Sequence, residues 1–177
     1  MLNIVKQKRF MAIDPGVDLG WAFWPAGRKF PTDCGIIIPH VGLLELKNKF
    51  AYNKEITFFQ KIHSTIHQLS LKIVELEPEI IACEWPQSFG SVGGRAASGS
   101  GSIIKLAYGV GQIALMADAC RIKFAPIPVM QWKGNLSKIN VMKRIIKRLP
   151  SSRIDYLEPG SHSWDAIGIG LFCKGLF

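Results

Sequence analysis

A chain of 177 residues with 48% hydrophobic content is long enough to bury the core of one domain, which excludes general disorder. Its net charge of +9 implies a polyanionic partner, nucleic acid or an anionic membrane surface. No apolar run reaches the ~18 residues of a membrane span, no signal-peptide core follows Met1–Arg9, and none of Cys34, Cys83, Cys120 and Cys173 has a CxxC partner. Membrane, zinc-ribbon and redox roles are therefore set aside, and an intracellular, reducing location is expected.

The chain opens on Phe10-Met11-Ala12-Ile13-Asp14, an apolar run ending in an acid. Pro15-Gly16 breaks it, and Leu19 to Trp24 returns as a second apolar run, so the pair reads as a β-hairpin. A carboxylate in such a place is costly to bury unless it is paired or holds a cation. A turn Asp capping its own backbone is the plainer alternative. Ile36-Ile37-Ile38 reads as a third strand, ended by Pro39, which gives an antiparallel meander. Val41 to Asn53 is ambiguous.

From Lys54 to Leu76 the period becomes helical. Phe59, Ile62, Ile66, Leu69, Ile73 and Leu76 form one apolar face. His63 and His67 stand at i and i+4 there, without a HExxH pattern or a third ligand, and read as flank or surface histidines. Glu77-Pro78 ends this helix. Glu79 to Glu84 repeats the first pattern, an apolar strand closing on an acid and then a Pro. Cys83 in this strand and Cys120 further on lie in apolar runs and read as core residues.

Gln87 to Ser102 is rich in Gly and Ser and has Arg95 as its one charge. It is not a Walker loop, and its place after Glu84 favours substrate contact over a passive linker. Ile103 to Arg121 reads as a second long helix, with Gly109 and Gly111 allowing another backbone to approach. Ile122 to Val129 reads as the last strand, closed by Pro126 and Pro128. A helix between two such strands implies parallel pairing. Lys133, Lys138, Lys143, Arg144, Lys147, Arg148 and Arg153 follow with no acid among them, which favours a phosphate-binding face over a solvated one. The last helix starts near Ser163, with Ser161 as a candidate cap, and carries Asp165 early in an apolar run. It presents Trp164, Ile167, Leu171 and Phe172 to the core.

Asp14, Glu84 and Asp165 are far apart in sequence but lie at strand or helix ends that an α/β sheet can bring together. Three carboxylates meeting there would repel one another unless oxygen-ligated divalent ions stood between them. Taken in order, these motifs resemble the RuvC family of Holliday-junction resolvases, nucleases on an RNase H-like fold. Ile13-Asp14-Pro15-Gly16 with Gly20 matches that family's first catalytic strand, Cys83-Glu84 its second, and Asp165-Ala166-Ile167-Gly168-Ile169-Gly170 the acid and start of its last helix. His162 falls where the family has another acid or a His as metal ligand. The match runs from about Phe10 to Leu171.

The resemblance implies one α/β domain over residues 1–177. Its mixed five-stranded sheet, antiparallel at first and then parallel, would be flanked by helices. It also implies a Mg²⁺-dependent endonuclease, with Mn²⁺ able to substitute, that resolves four-way DNA junctions. Two ions per active site would be held by Asp14, Glu84, His162 and Asp165, with Asp14 bridging them. One ion would activate water and the other would stabilise the leaving 3′-oxygen. Implied partners are branched DNA and a second copy of the chain, through the helix at Ile103–Arg121, with no membrane. The expected location is the cytoplasm of a bacterial or phage-infected cell. DNA contacts are expected from Trp85, Phe89, Arg95, Lys105, Lys133, Lys138, Lys143, Arg144 and Lys147. The family has a Phe a few residues after the catalytic Glu; here Trp85 follows at once and Phe89 five residues on. Exposed among small polar residues, Phe89 is suited to stack on an unpaired base.

Three alternatives stand beside this reading. A nuclease of the same fold could act on forks, flaps or RNA. A non-catalytic nucleic-acid-binding module is disfavoured by the three acids together. Asp-x-Gly hairpins also open actin-like ATPases and sugar kinases, but their second phosphate-binding hairpin and longer chain are not found.

Overall fold

The strand that ends in Asp14 lies at the centre of the sheet. β1 (Phe10–Asp14) is buried at all five positions, as a run of Phe, Met, Ala and Ile requires of a strand covered on both faces. The computed structural model describes residues 7–40, 53–86, 102–151 and 161–177. β2 (Leu19–Trp24) pairs antiparallel with β1, placing Phe10 opposite Trp24 and Asp14 opposite Gly20. β3 (Asp33–Ile37) continues the antiparallel side. On the other side of β1, β4 (Ile80–Trp85) is parallel to it, and β5 (Lys123–Pro128) is parallel to β4. The order is β3-β2-β1-β4-β5. This is the mixed α/β sheet expected from the sequence.

Alternation along the strands sorts side chains onto two faces. Met11, Ile13, Trp21, Phe23, Ile81 and Cys83 pack against α1 (Asn53–Leu76), through Leu69 and Ile73, and α2 (Ser102–Ala119), through Val110, Ile113 and Ala117. Phe10, Ala12, Trp24, Ile80 and Ala82 pack on the opposite face. There they meet the short α3 (Val129–Trp132), the basic α4 (Lys138–Arg148) and α5 (Ser161–Cys173). Asp14 has the parity of Phe10 and Ala12, and Glu84 that of Ile80 and Ala82. Both acids therefore belong to the face that α5 covers.

Several boundaries differ from expectation. The third strand contains Ile36 and Ile37 but begins three residues earlier, at Asp33, and ends before Ile38, because Gly35 and Cys34 find partners in Trp21 and Ala22. Pro126 does not close β5 but lies within its pairing to β4, and the strand ends at Pro128 as expected. β5 is an edge strand, where a missing N–H costs no ladder bond on the outer side. Ser161 is inside α5 rather than capping it. Cys83 is buried, but Cys120 is exposed just beyond the end of α2. Within α5, Ile167 and Leu171 are fully buried, while Trp164 and Phe172 are half-buried. His63 and His67 are exposed. Phe89 and Arg95 lie outside the described residues. None of the described helices is long and apolar enough to cross a membrane.

α5 is pressed against β1 and β2, and two glycines make the approach possible. A Cβ at Gly20 would overlap the His162 carbonyl, and one at Gly170 would overlap the indole of Trp24. Trp24 is itself stacked on Phe10, ring centroids 4.6 Å apart, and cannot retreat. Gly170→Ala should therefore destabilise the fold by about 1–3 kcal/mol, the range for overpacking a dense core. A urea unfolding midpoint equal to that of the unaltered chain would show that α5 has room to move.

Candidate active site

Parallel strands β1 and β4 end side by side, and α5 begins across the same edge. Asp14 is the last residue of β1, and Glu84 is next to last in β4. Asp165 sits in the first turns of α5, three residues after His162. The turn after Asp14 is fixed from behind, where the buried Thr65 of α1 donates its hydroxyl to the Val17 carbonyl at 2.8 Å.

Each acid meets a different donor. Asp14 and Asp165 are 8% and 7% exposed, so neither is hydrated as a surface acid would be. Asp14 Oδ2 is 2.8 Å from His162 Nδ1. Ionised carboxylate oxygens only accept, so with Asp14 ionised Nδ1 carries the proton of this hydrogen bond. Glu84 Oε2 accepts from Trp132 Nε1 at 3.0 Å. Asp165 pairs with Lys133 Nζ at 3.5 Å and more loosely with Lys138 Nζ at 3.9 Å. Lys133 and Lys138 arrive just after β5, one at the end of α3 and the other at the start of α4, whose first turn is capped by the Ser137 hydroxyl.

The acids feel one another. Burial raises the Asp14 carboxyl, against the lowering effect of the His162 hydrogen bond, and Asp165 raises it further. Glu84 is pushed up to about 7, first by burial and then by the charge of Asp14, with Trp132 and Lys133 opposing and Asp165 adding a small rise. Hydrogen bonding to Asp14 in turn raises His162. A pocket that holds carboxyls above their ordinary range and near lysines is the electrostatic signature of a functional site.

The sequence-derived candidates divide accordingly. The structure brings together Asp14, Glu84, His162, Asp165, Lys133 and Lys138. Trp85, at the end of β4, is 44% exposed. Lys143, Arg144 and Lys147 are exposed on α4, farther along the same basic segment, and Arg144 lies over the Phe177 ring at 5.2 Å. Lys105 lies on α2, against the opposite face of the sheet. Trp132 was missed as a site residue. Its signal was an indole immediately before Lys133, in a segment already marked as basic, and a buried indole N–H seeks an acceptor.

Three carboxylates and an imidazole form an oxygen-rich donor set suited to a hard divalent cation. The raised acids are what such a cation would relieve. Among the described residues, however, no group of three or more His, Cys, Asp or Glu is gathered tightly enough to hold a metal ion. Lysines and the Trp132 N–H stand on the oxygens instead. The donors fit a metal in kind, and drawing them together would require Asp165 to turn from its lysines.

Glu84 also makes a prediction about stability. Its folded value of about 7 lies above the ordinary 4.5, so the folded state holds a proton that the unfolded chain releases. Stability from this group is full below about 4.5 and is lost as pH rises toward 7. Glu84→Gln keeps an oxygen for Trp132 and removes the charge. In chelator-containing buffer it should be more stable than the unaltered chain at pH 8, by about 3 kcal/mol from the difference in acidity. The gap should close below pH 4.5. Parallel stability–pH curves for the two proteins would refute a raised Glu84.

No protein-family model matches the chain, and no curated protein matches it. Solved structures do. Thermus thermophilus RuvC superposes with a TM-score of 0.60 at 17% identity, covering 92% of this chain and 91% of that one. The same protein in complex with a Holliday junction substrate gives 0.59 at 16%, covering 92% and 90%. At such identity the likeness speaks to architecture, and the chain has the RuvC-type, RNase H-like fold.

Proposed function

We propose that the protein is a Mg²⁺-dependent endonuclease that resolves four-way DNA junctions by phosphodiester hydrolysis at the Asp14–Glu84–Asp165 edge of the sheet. The observation that carries this reading is electrostatic. Asp14, Glu84 and Asp165, separated by 70 and 81 residues (84 − 14 and 165 − 84), meet beside lysines, and there burial and the neighbouring acids raise the proton affinity of Asp14 and Glu84. A structural ion-pair network would give each acid a cation, whereas Glu84 here has only the neutral Trp132 N–H as its hydrogen-bond donor. The likeness to a RuvC solved with a Holliday junction substrate supports the choice of substrate.

Asp14, Glu84, Asp165 and His162 would hold the metal. When bound, Mg²⁺ supplies Lewis-acid stabilisation of phosphate oxygens and a more acidic water. The chain's own groups do the rest. His162 orients Asp14, and Trp132 orients Glu84 and lowers its proton affinity. Lys133 and Lys138 offer their ammonium groups to the phosphate that displaces them from Asp165. Lys143 and Lys147 extend positive charge outward along α4, where DNA arms would pass.

A junction has two symmetric strands to cut, so a two-fold dimer fits it. Exposed Ile104, Gly111 and Leu115 line one side of α2 and offer that dimer an apolar contact.

Asp14→Asn, Glu84→Gln and Asp165→Asn should each abolish cleavage of a synthetic four-way junction in Mg²⁺ while leaving gel-shift binding within a few-fold. Full activity in any one removes that acid from the mechanism. Equal cutting of forks, flaps and junctions by the unaltered chain would favour a broader branched-DNA nuclease.

Joint charge reversal at Lys143 and Lys147 should weaken junction binding and reduce the slope of log affinity against log salt by about one per lost phosphate contact. Light scattering on the same preparations should give a two-chain mass. An unchanged slope would assign this face of α4 to solvent or to another partner.

A further inference from the structure

On the far side of the turn that carries Asp14 there is a groove of ≈ 410 Å³, within the size range of small-ligand sites. Gly16 and Val17 of the turn form one wall, Phe58 and Ile62 of α1 a second, and Lys105 and Leu106 of α2 a third. The walls are almost wholly apolar, with one cation at the edge. Lys105 Nζ stands 5.3 Å from the centre of the Phe58 ring. Phe58 is half-buried and meets Phe59 edge-on at 5.6 Å, and Phe59 meets Tyr108 edge-on at 5.0 Å. Phe58 is the aromatic residue among those lining the groove, and its ring beside an ammonium group makes a platform for a flat, weakly polar ring joined to an anion. A nucleotide is such a molecule.

The groove is tied to the active edge by covalent distance. Gly16 is two residues from Asp14, so their Cα atoms are at most about 7.6 Å apart. That is roughly two nucleotides of rise along one strand at 3.4 Å each. Thr65 holds the Val17 carbonyl against α1, which fixes this wall relative to Asp14. Nothing in the mechanism above uses the groove, and Lys105 lines it beside Phe58, whereas Lys133 and Lys138 pair with Asp165.

We propose that the groove holds one unstacked nucleobase of the strand cut at the Asp14 edge, its ring against Phe58 and its phosphate on Lys105. The inference rests on the nuclease reading and adds a base-binding subsite to it. At a branch point the base is already without part of its stack, so extruding it costs less than it would in a duplex. The subsite would favour branched DNA over linear DNA without hydrogen bonds that read sequence.

Gly109 supplies the test. It lines the groove from α2, and a Cβ there would meet only Ile62 Cδ1, at an ordinary 3.7 Å. Gly109→Leu should therefore fold, since Leu is a better helix former than Gly, and should fill the groove. Junctions are prepared with a single abasic site at each position within three nucleotides of the scissile phosphate. At one position the abasic site should lower kcat/KM for the unaltered chain by roughly five- to 150-fold, the span for stacking one base on an aromatic ring. Gly109→Leu should lower kcat/KM on the intact junction by a similar factor and lose nothing further on that abasic junction. Penalties that multiply, or no sensitive position, overturn the subsite. So does a Gly109→Leu melting temperature that falls while the penalties multiply, the outcome expected if protein rather than DNA fills the groove. If Gly109→Leu fails to fold, Phe58→Ala goes through the same cycle with the same outcomes. Should the unaltered chain cut no DNA at all, the nuclease reading itself fails. Cleavage with multiplying penalties removes only the subsite.

Discussion

Three carboxylates at one edge of an apolar sheet are the constraint around which this molecule is arranged. Burying an ionised carboxylate without partners would cost several kcal/mol, a large fraction of the ~5–15 kcal/mol that a domain has in total. Each acid is accordingly met by a donor from another element. His162 of α5 meets Asp14, Trp132 of α3 meets Glu84, and Lys133 and Lys138 meet Asp165. These donors do not cancel the repulsion, because Glu84 remains near 7 and Asp14 stays raised. The residual imbalance is negative charge facing one another across a pocket edge. A divalent cation is the simplest group that would remove it.

The same edge shows how charge is graded outward. The ammonium group of Lys133 is largely sequestered and that of Lys138 is half exposed, with both directed at Asp165. Beyond them, Lys143 and Lys147 extend into solvent from α4, while Val141 and Ile145 anchor the helix below. Ion pairs of the inner lysines weaken their pull on distant anions, whereas the outer ones act at the range of a Debye length, about 8–10 Å in ordinary salt. On the proposed reading, outer charges would gather a polyanion, and inner ones would become available only as a phosphate competed with Asp165.

Much of this was legible in the sequence because it depends on period. Two-residue alternation in Phe10–Asp14 and Ile80–Glu84 places both acids on the face opposite Met11, Ile13, Ile81 and Cys83. The apolar stripe from Phe59 to Leu76 marked α1, although Phe59 itself is exposed, and the acid-free run from Lys133 marked the basic segment. What period could not supply is pairing. β3 begins at Asp33 because Trp21 and Phe23 need partners there, which a propensity for Ile36–Ile38 does not reveal. Pro126 is a strand breaker by local rule, yet an edge position on β5 tolerates it. Cys120 follows an apolar stripe but falls where α2 has ended. Only the folded chain shows the Trp132 N–H directed at Glu84, 48 residues away in sequence.

The placement of His162 illustrates how far the chemistry depends on the core. His162 reaches Asp14 because its own backbone lies almost against Gly20, the residue opposite Asp14 in the β1–β2 ladder. That approach continues down α5, where Gly170 accepts the indole of Trp24, which stacks on Phe10 at the far end of β1. One strand thus carries both ends of the contact: Phe10 sets the depth at which α5 can lie, and Asp14 meets the histidine that this depth delivers. A side chain added at either glycine would lift the helix. Lifting it would lengthen a 2.8 Å hydrogen bond and carry Asp165 away from the other acids in the same movement. The glycines in these two elements therefore act on the Asp14–Asp165 edge through distance, with no polar group of their own.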